Sequence, residues 1–114
     1  MAGGPYYWYD PHYDAAPLWA GVYVNAPQTE QLFGTVYGTY DLAQRPGQIT
    51  APALIALGRY DYDVPYTQWD ERKDALPHHT YVLFERSGHT PPLEESARFD
   101  QTLIEWARHY GPTT

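Results

Sequence analysis

The sequence predicts an α/β protein built around a small parallel sheet, and two short segments with strand character carry the prediction. Residues 52–57 form an apolar run that ends at Gly58, the pattern of a strand buried on both faces. Residues 80–84 are rich in side chains that favour strands. The charged segment 67–76, with a capping-box-like start at Thr67, predicts a surface helix between them. Strand, helix and strand within about 33 residues make a βαβ unit, whose two strands should be parallel.

A further helix is predicted after this unit, beginning near Pro91. Glu94 and Glu95 in its first turn suit the positive end of the helix dipole. Glycine and proline at positions 111 and 112 should end the helix. Large apolar side chains recur at steps of four, three and four and give the helix one apolar face: Phe99, Leu103, Trp106 and Tyr110.

The first 40 residues are richer in aromatic side chains and less regular. Residues 1–26 contain prolines without steady periodicity and predict irregular loop. The aromatic cluster 6–9 either packs this region against the rest of the protein or stacks on an apolar substrate or a sugar, and both alternatives stay open. A short helix is predicted from residue 27 to about residue 40, where apolar side chains recur at steps of four: Leu32, Val36 and Tyr40.

Composition and charge argue against several classes of function. The formal net charge is -7 and there is no lysine- or arginine-rich run, so the chain lacks the electrostatic footprint of a nucleic-acid-binding protein. Its longest apolar stretch, residues 53–57, is far shorter than the ~20 residues that span a bilayer, so no membrane association is expected. There is no cysteine, which excludes disulfides and a cysteine nucleophile. With an N-terminus that lacks a signal-like apolar region, these features favour a cytoplasmic location.

Polar segments follow both predicted strands, and each contributes one residue suited to acid–base chemistry. Asp61 follows the first strand and His89 follows the second. Parallel strands finish at the same edge of a sheet, about 4.8 Å apart, so short loops can bring the two side chains into contact. A carboxylate that holds one imidazole nitrogen fixes the tautomer that a general base needs. The alternative is an aspartate that orders its own loop beside a surface histidine.

Three motifs in order along the chain, with Phe99 and Trp106 after them, carry a resemblance to a known family. They are Ile49-x-x-Pro52-x-Leu54, Gly58-Arg59-x-Asp61-x-x-Val64-Pro65 and Ser87-Gly88-His89-x-Pro91-x-x-Glu94. This string resembles the C-terminal end of an α/β-hydrolase, most of all in the proline-iminopeptidase-like branch of that superfamily. The resemblance covers residues 49 to about 108.

The resemblance implies a fold and two catalytic residues. Residues 1–45 correspond to the end of a helical cap and its return to the core, and residues 46–114 to the C-terminal βαβα lobe with the last two strands of the parallel sheet. Asp61 takes the place of the triad acid and His89 that of the triad base. Asp63 is the competing acid, but the Gly-x-x-Asp spacing selects Asp61. The implied reaction is hydrolysis of a peptide, amide or ester bond through an acyl-enzyme, with no metal or organic cofactor.

A nucleophile is missing from the chain. The family places its serine on a Gly-x-Ser-x-Gly elbow well before the acid, whereas the two serines here are Ser87, beside the base, and Ser96, in the last helix. We therefore expect a partner: an N-terminal polypeptide that carries the elbow, with this chain as the C-terminal fragment or subunit of a serine hydrolase acting on a small-molecule or peptide substrate. The alternative is a non-catalytic binding or interaction module derived from a hydrolase.

Two other groups have ordinary structural interpretations. His78 and His79 open the second strand, where neighbouring side chains point to opposite faces, so a shared metal site is not expected. Glu94 and Glu95 are interpreted as charges that complement a helix dipole.

Overall fold

The computed structural model describes residues 7–37 and 49–110. Within the first range, helix α1 spans Ala16–Trp19 and helix α2 spans Ala26–Gln31, which continues into a π-helical turn, Leu32–Val36. The helix predicted from residue 27 is therefore present, but the prediction of loop throughout residues 1–26 was wrong at α1. The predicted end of that helix near residue 40, the domain boundary at 45/46 and the helix stop at 111 and 112 lie outside the described residues.

The βαβ prediction is confirmed. Strand β1 spans Ala53–Gly58 and strand β2 spans His79–Phe84, and the two form a parallel sheet. Ala53 pairs with His79 and Gly58 with Phe84, so both strands end at the same sheet edge. The side chains of Ile55 and Phe84 on these strands are buried, and so is Leu76 from the connection between the strands.

The connection between the strands is a broken helix, where the sequence predicted a continuous one over residues 67–76. Helix α3 spans only Thr67–Asp70, and a 3-10 turn covers Lys73–Ala75. The break falls at Arg72, whose backbone leaves the helical region at φ -126 and ψ -9. The turn redirects the chain so that Leu76 enters the core, at 5% exposure. The capping prediction was also wrong, because Thr67 lies inside the first turn and no side chain caps it.

The last helical segment is interrupted as well. Helix α4 spans Pro91–Glu94 and helix α5 spans Ser96–Tyr110, with Glu95 between them at φ -129 and ψ 55. The predicted apolar face of α5 packs on the sheet through Phe99, whose ring centroid lies 5.9 Å from that of Phe84. Farther along the same face Leu103 stays 40% exposed, so this part of the chain covers only a portion of the helix. No helix in residues 7–37 or 49–110 is long and apolar enough to cross a membrane.

The end of β1 lies in direct backbone contact with the loop after β2. The Tyr60 N–H donates to the Ser87 carbonyl at 2.9 Å, and the Arg59 N–H donates to the Phe84 carbonyl at 3.0 Å. A Cβ atom on Gly58 would collide with the carbonyl groups of Ser87 and Gly88. Glycine at position 58 therefore permits the close approach of the two loops.

We predict that Gly58→Ala lowers the free energy of unfolding by about 1–3 kcal/mol, because the backbone of the neighbouring loop must shift to admit the methyl group. Gly34→Ala is the matched control, since a Cβ at that position meets no atom within 4 Å beyond its chain neighbours and its own helix backbone. Thermal denaturation of the chain together with its expected partner polypeptide, followed by circular dichroism, measures both variants. A Gly58→Ala protein as stable as the Gly34→Ala protein would contradict the close approach.

Candidate active site

The structure brings Asp61 and His89 together at the carboxyl edge of the sheet. Asp61 follows β1 directly and His89 lies on the loop after β2, so the parallel pairing of the strands sets their separation. His89 Nδ1 lies 2.9 Å from Asp61 Oδ2, within hydrogen-bond distance. The Asp61 carboxylate is buried at 5% residue exposure, whereas the His89 side chain is 43% exposed. One partner is thus fixed within the protein and the other reaches the surface.

The second oxygen of Asp61 is held by its own loop. Oδ1 accepts hydrogen bonds from the backbone N–H groups of Asp63 at 3.0 Å and Val64 at 2.9 Å. Asp61 therefore orders its loop, as the structural alternative proposed, and contacts the imidazole as well. The competing acid, Asp63, is exposed and contributes its backbone N–H to Asp61, so the histidine contact belongs to Asp61.

The contact with Asp61 determines which imidazole nitrogen is available for chemistry. A carboxylate acceptor at Nδ1 favours the tautomer with hydrogen on Nδ1, which leaves Nε2 as the basic nitrogen. The ring of Tyr7 meets the imidazole edge-on, with 5.4 Å between centroids, and the Tyr7 carbonyl accepts the His89 backbone N–H at 2.5 Å. The imidazole is therefore oriented from two sides.

Glu94 holds the loop that carries His89 in place, a role that the sequence analysis did not predict. Its Oε2 accepts hydrogen bonds from the backbone N–H groups of Gly88 at 2.9 Å and Thr90 at 3.1 Å, the two neighbours of His89. Its Oε1 accepts the backbone N–H of Tyr9 at 2.6 Å. One carboxylate thus ties the loop to the aromatic N-terminal segment. The signal in the sequence is weak, because a capping box would place the acid one position earlier, at Leu93.

Glu95 holds the other end of the same loop. Its Oε2 accepts a hydrogen bond from the Ser87 hydroxyl at 2.6 Å and from the Arg86 backbone N–H at 3.1 Å. Together the two glutamates and the Tyr7 carbonyl engage the backbone N–H groups of residues 86, 88, 89 and 90. The interpretation of Glu94 and Glu95 as simple dipole charges was therefore incomplete, since they fix the loop that carries His89.

We predict that Glu94→Gln destabilises the protein by about 1–3 kcal/mol, because the amide has one acceptor oxygen for N–H groups that the carboxylate binds on two sides and lacks the charge that strengthens these hydrogen bonds. Amide hydrogen exchange at Gly88 and Thr90 should become faster by about tenfold or more, reporting the opening of the loop. Glu105→Gln, which removes the same charge from an exposed site on α5, is the control. Unchanged amide hydrogen exchange in Glu94→Gln would show that the Glu94 carboxylate does not hold the loop.

A charged pair at the same sheet edge involves neither Asp61 nor His89. Arg59 forms a two-point ion pair with Glu85, including a bond from Nη2 to Oε1 of 3.0 Å, and its guanidinium lies over the ring of Tyr66. This hydrogen-bonded guanidinium lowers the pKa of Glu85, and the carboxylate in turn raises the pKa of Arg59. Both side chains are well exposed, so the pair connects the two loops at the surface.

Next to His89 lies an open cleft of about 850 Å³. One wall comes from His89, Thr90 and Asp63, and the other from the segment 7–33, mostly through aromatic and aliphatic side chains. The aromatic cluster packs against the rest of the protein, as one alternative predicted, and its stacking on a substrate stays a prediction. Tyr9 packs edge-on against Tyr60 of the lobe at 4.9 Å between centroids, while Tyr7 and Trp8 line the cleft.

The two serines of the chain are poorly placed to act as nucleophiles. Ser87 is fully buried, and its hydroxyl donates to Glu95 at 2.6 Å. Ser96 is the first residue of α5 and is exposed. Neither serine hydrogen-bonds to His89 in the part of the chain that the structure describes. In the same residues no group of three or more histidine, aspartate or glutamate side chains could hold a metal ion, and His79 Nδ1 lies 2.9 Å from the Leu76 carbonyl.

Comparison with known proteins finds that the sequence is similar to parts of several hydrolases. The chain is 45% identical over 97 residues to the AB hydrolase superfamily protein YclE of Bacillus subtilis, a match that covers 84% of this chain and 34% of that protein. It is 34% identical over 73 residues to a proline iminopeptidase of Clostridioides difficile, covering 64% and 24%. It is 33% identical over 86 residues to a pimeloyl-[acyl-carrier protein] methyl ester esterase of Legionella pneumophila, covering 74% and 36%. No protein-family model matches the chain.

A solved structure shows the same fold. An alpha/beta fold family hydrolase from Bacillus anthracis superimposes with a TM-score of 0.73 at 23% sequence identity, over 89% of this chain and 37% of that one. The chain therefore has the α/β-hydrolase fold and corresponds to the C-terminal portion of that fold. It spans about a third of the length of YclE and of the esterase that it matches.

Proposed function

We propose that this chain supplies the acid and the base of a serine hydrolase's catalytic triad, Asp61 and His89, to a serine carried by another polypeptide. The observation that carries the proposal is the hydrogen bond of 2.9 Å between a buried aspartate and a surface-reaching histidine at the ends of adjacent parallel strands. The similarity to hydrolases and esterases of the same fold supports it.

In this mechanism His89 Nε2 takes the proton of the serine hydroxyl as its oxygen attacks the substrate carbonyl. The Asp61 carboxylate holds the Nδ1–H and stabilises the imidazolium that forms. The imidazolium then gives its proton to the leaving amine or alcohol, and an acyl-enzyme results. A water molecule then hydrolyses the acyl-enzyme. His89 accepts a proton from this water, and the water oxygen attacks the acyl carbon. The serine leaves with the proton that His89 returns to it.

The nucleophile has to come from outside these 114 residues, because the chain has no Gly-x-Ser-x-Gly sequence and no cysteine. Ser87 is engaged by Glu95 and buried. The chain also spans only about a third of the length of several of its relatives. The complementary polypeptide would bring the elbow serine and the oxyanion donors that accompany it.

Exposed apolar surface supports the need for such a polypeptide. Two strands rarely form an independent core, and the described part of the chain has a sheet of two strands. On α5, Leu103 is 40% exposed and Ile104 is 48% exposed. We propose that the other strands and helices of the hydrolase core cover this surface, with residues 46–114 as the C-terminal lobe and residues 1–45 as the end of a cap.

The test is hydrolysis by the protein isolated with whatever polypeptide co-purifies with it. We expect turnover of activated esters or of aminoacyl arylamides, and we choose the arylamides because a proline iminopeptidase is among the relatives. Mass spectrometry of the co-purifying polypeptide should find a Gly-x-Ser-x-Gly sequence. A stable, inactive monomer with no such partner would support the alternative, a non-catalytic binding module, and would overturn the proposal.

A further inference from the structure

The cleft beside His89 has a distinctive lining that bears on the chemistry of the substrate. Aromatic rings dominate one wall, contributed by Trp8, Tyr13, Trp19 and Phe33. Trp19 is 52% exposed and Phe33 is 64% exposed in this chain, so their apolar surface is available to a ligand or to the rest of the hydrolase core. Rings of this kind favour flat apolar groups, which stack on them or meet them edge-on.

The charged groups of the same cleft are both acidic. Asp14 and Asp63 line it, and neither lysine nor arginine does among the residues that the structure describes. Two carboxylates would be costly to bury against a protein core, so this surface suits a solvent-filled cleft that receives a ligand. An anionic group entering the cleft would meet like charges in a partly dehydrated space, where repulsion is stronger than in bulk water.

We infer that the cleft selects substrates carrying a bulky, flat, uncharged apolar group next to the scissile bond and discriminates against substrates that carry a carboxylate there. The inference rests on the proposed function, since it takes His89 as the base at the end of the cleft. The aromatic wall supplies the affinity for the apolar group. The carboxylates of Asp14 and Asp63 supply the discrimination.

Two series of esters test the inference on the assembled protein. The acyl series compares p-nitrophenyl acetate, phenylacetate and 4-carboxyphenylacetate, and the alcohol series compares methyl, benzyl and 4-carboxybenzyl acetate. In at least one series we expect kcat/KM for the aromatic ester to exceed that for the small ester by about tenfold or more. The carboxyl-bearing ester should be slower than its uncharged aromatic counterpart by about tenfold. Equal kcat/KM within both series would overturn the inference.

Matched variants assign these preferences to the cleft. Trp19→Ala should reduce the preference for the aromatic ester by about tenfold, whereas Tyr23→Ala, an aromatic residue of the same segment that is 86% exposed and outside the cleft, should keep it. Asp63→Asn should raise the relative rate of the carboxyl-bearing ester by about threefold or more, and Asp100→Asn on α5 should not. Preferences that both pairs of variants leave unchanged would place the selectivity elsewhere.

A binding measurement separates this inference from the proposed function. Ligand-observed NMR with N-benzylacetamide and with its 4-carboxyl derivative reports occupancy of the cleft without turnover. Preferential binding of the uncharged amide, lost in Trp19→Ala, supports the cleft assignment even where no ester is hydrolysed, and in that case only the proposed function fails. Equal binding of the two amides would contradict the cleft assignment whatever the activity.

Discussion

His89→Ala is expected to abolish acyl transfer by the assembled protein, and Asp61→Asn to lower kcat by about 10⁴-fold. The first substitution removes the base that takes the serine proton. The second replaces the carboxylate that lies 2.9 Å from Nδ1, so that the imidazole loses the partner that fixes its tautomer. Because the asparagine is nearly isosteric, thermal denaturation should show a folded protein. Hydrolysis of activated esters, measured at saturating substrate, reports both effects.

Controls for these variants come from the same chain. His12→Ala removes an exposed histidine and Asp100→Asn an exposed aspartate, and neither should change kcat. Ser87→Ala should matter far less than His89→Ala, because the Ser87 hydroxyl is engaged by Glu95 and is fully buried. Near-normal turnover in His89→Ala would refute the role of the dyad. Loss of the acyl adduct in Ser87→Ala alone would assign the nucleophile to this chain.

The second large effect concerns folding. Produced without a complementary polypeptide, the chain should show no cooperative thermal transition and should bind a hydrophobic dye, since its sheet has two strands in the described residues and α5 leaves Leu103 and Ile104 exposed. Addition of the polypeptide that carries the remaining strands should suppress dye binding and produce a cooperative melt.

Differential scanning calorimetry and size-exclusion chromatography with light scattering make this comparison for the chain alone and for the complex. A sharp, cooperative melt from a monodisperse monomer of the chain alone would contradict the requirement for a partner. The Gly58→Ala variant provides an internal reference, because the melting temperature of its complex should be lower than that of the unsubstituted complex.

The strands and the Asp61–His89 contact were accessible from the sequence for a simple physical reason. Apolar runs that end at glycine, followed by polar residues, identify parallel strands and the edge where their loops meet. The register of β1 on β2 then places residues 61 and 89 close together, as the hydrogen bond between them shows.

The helix breaks could not be predicted from local patterns. At Arg72 the chain leaves the helix so that Leu76 can enter the core, and at Glu95 it turns so that a carboxylate reaches Ser87. Both are tertiary contacts that outweigh helix propensity, which is a weak local preference. The role of Glu94 in holding the histidine loop could not be predicted for the same reason. Its hydrogen bonds to Tyr9 and Gly88 are tertiary contacts that no local sequence pattern indicates. The cleft likewise depends on how segment 7–33 folds onto the lobe.

The central claim is that this chain provides acid and base to a serine on another polypeptide, and covalent labelling with a fluorophosphonate tests it most directly. The complex is labelled, digested and sequenced by mass spectrometry. We predict that the label lies on the serine of a Gly-x-Ser-x-Gly sequence in the complementary polypeptide, and that His89→Ala in this chain slows labelling by about a thousandfold or more. A label on Ser87 or Ser96, or labelling of the partner at a rate independent of His89, would contradict it.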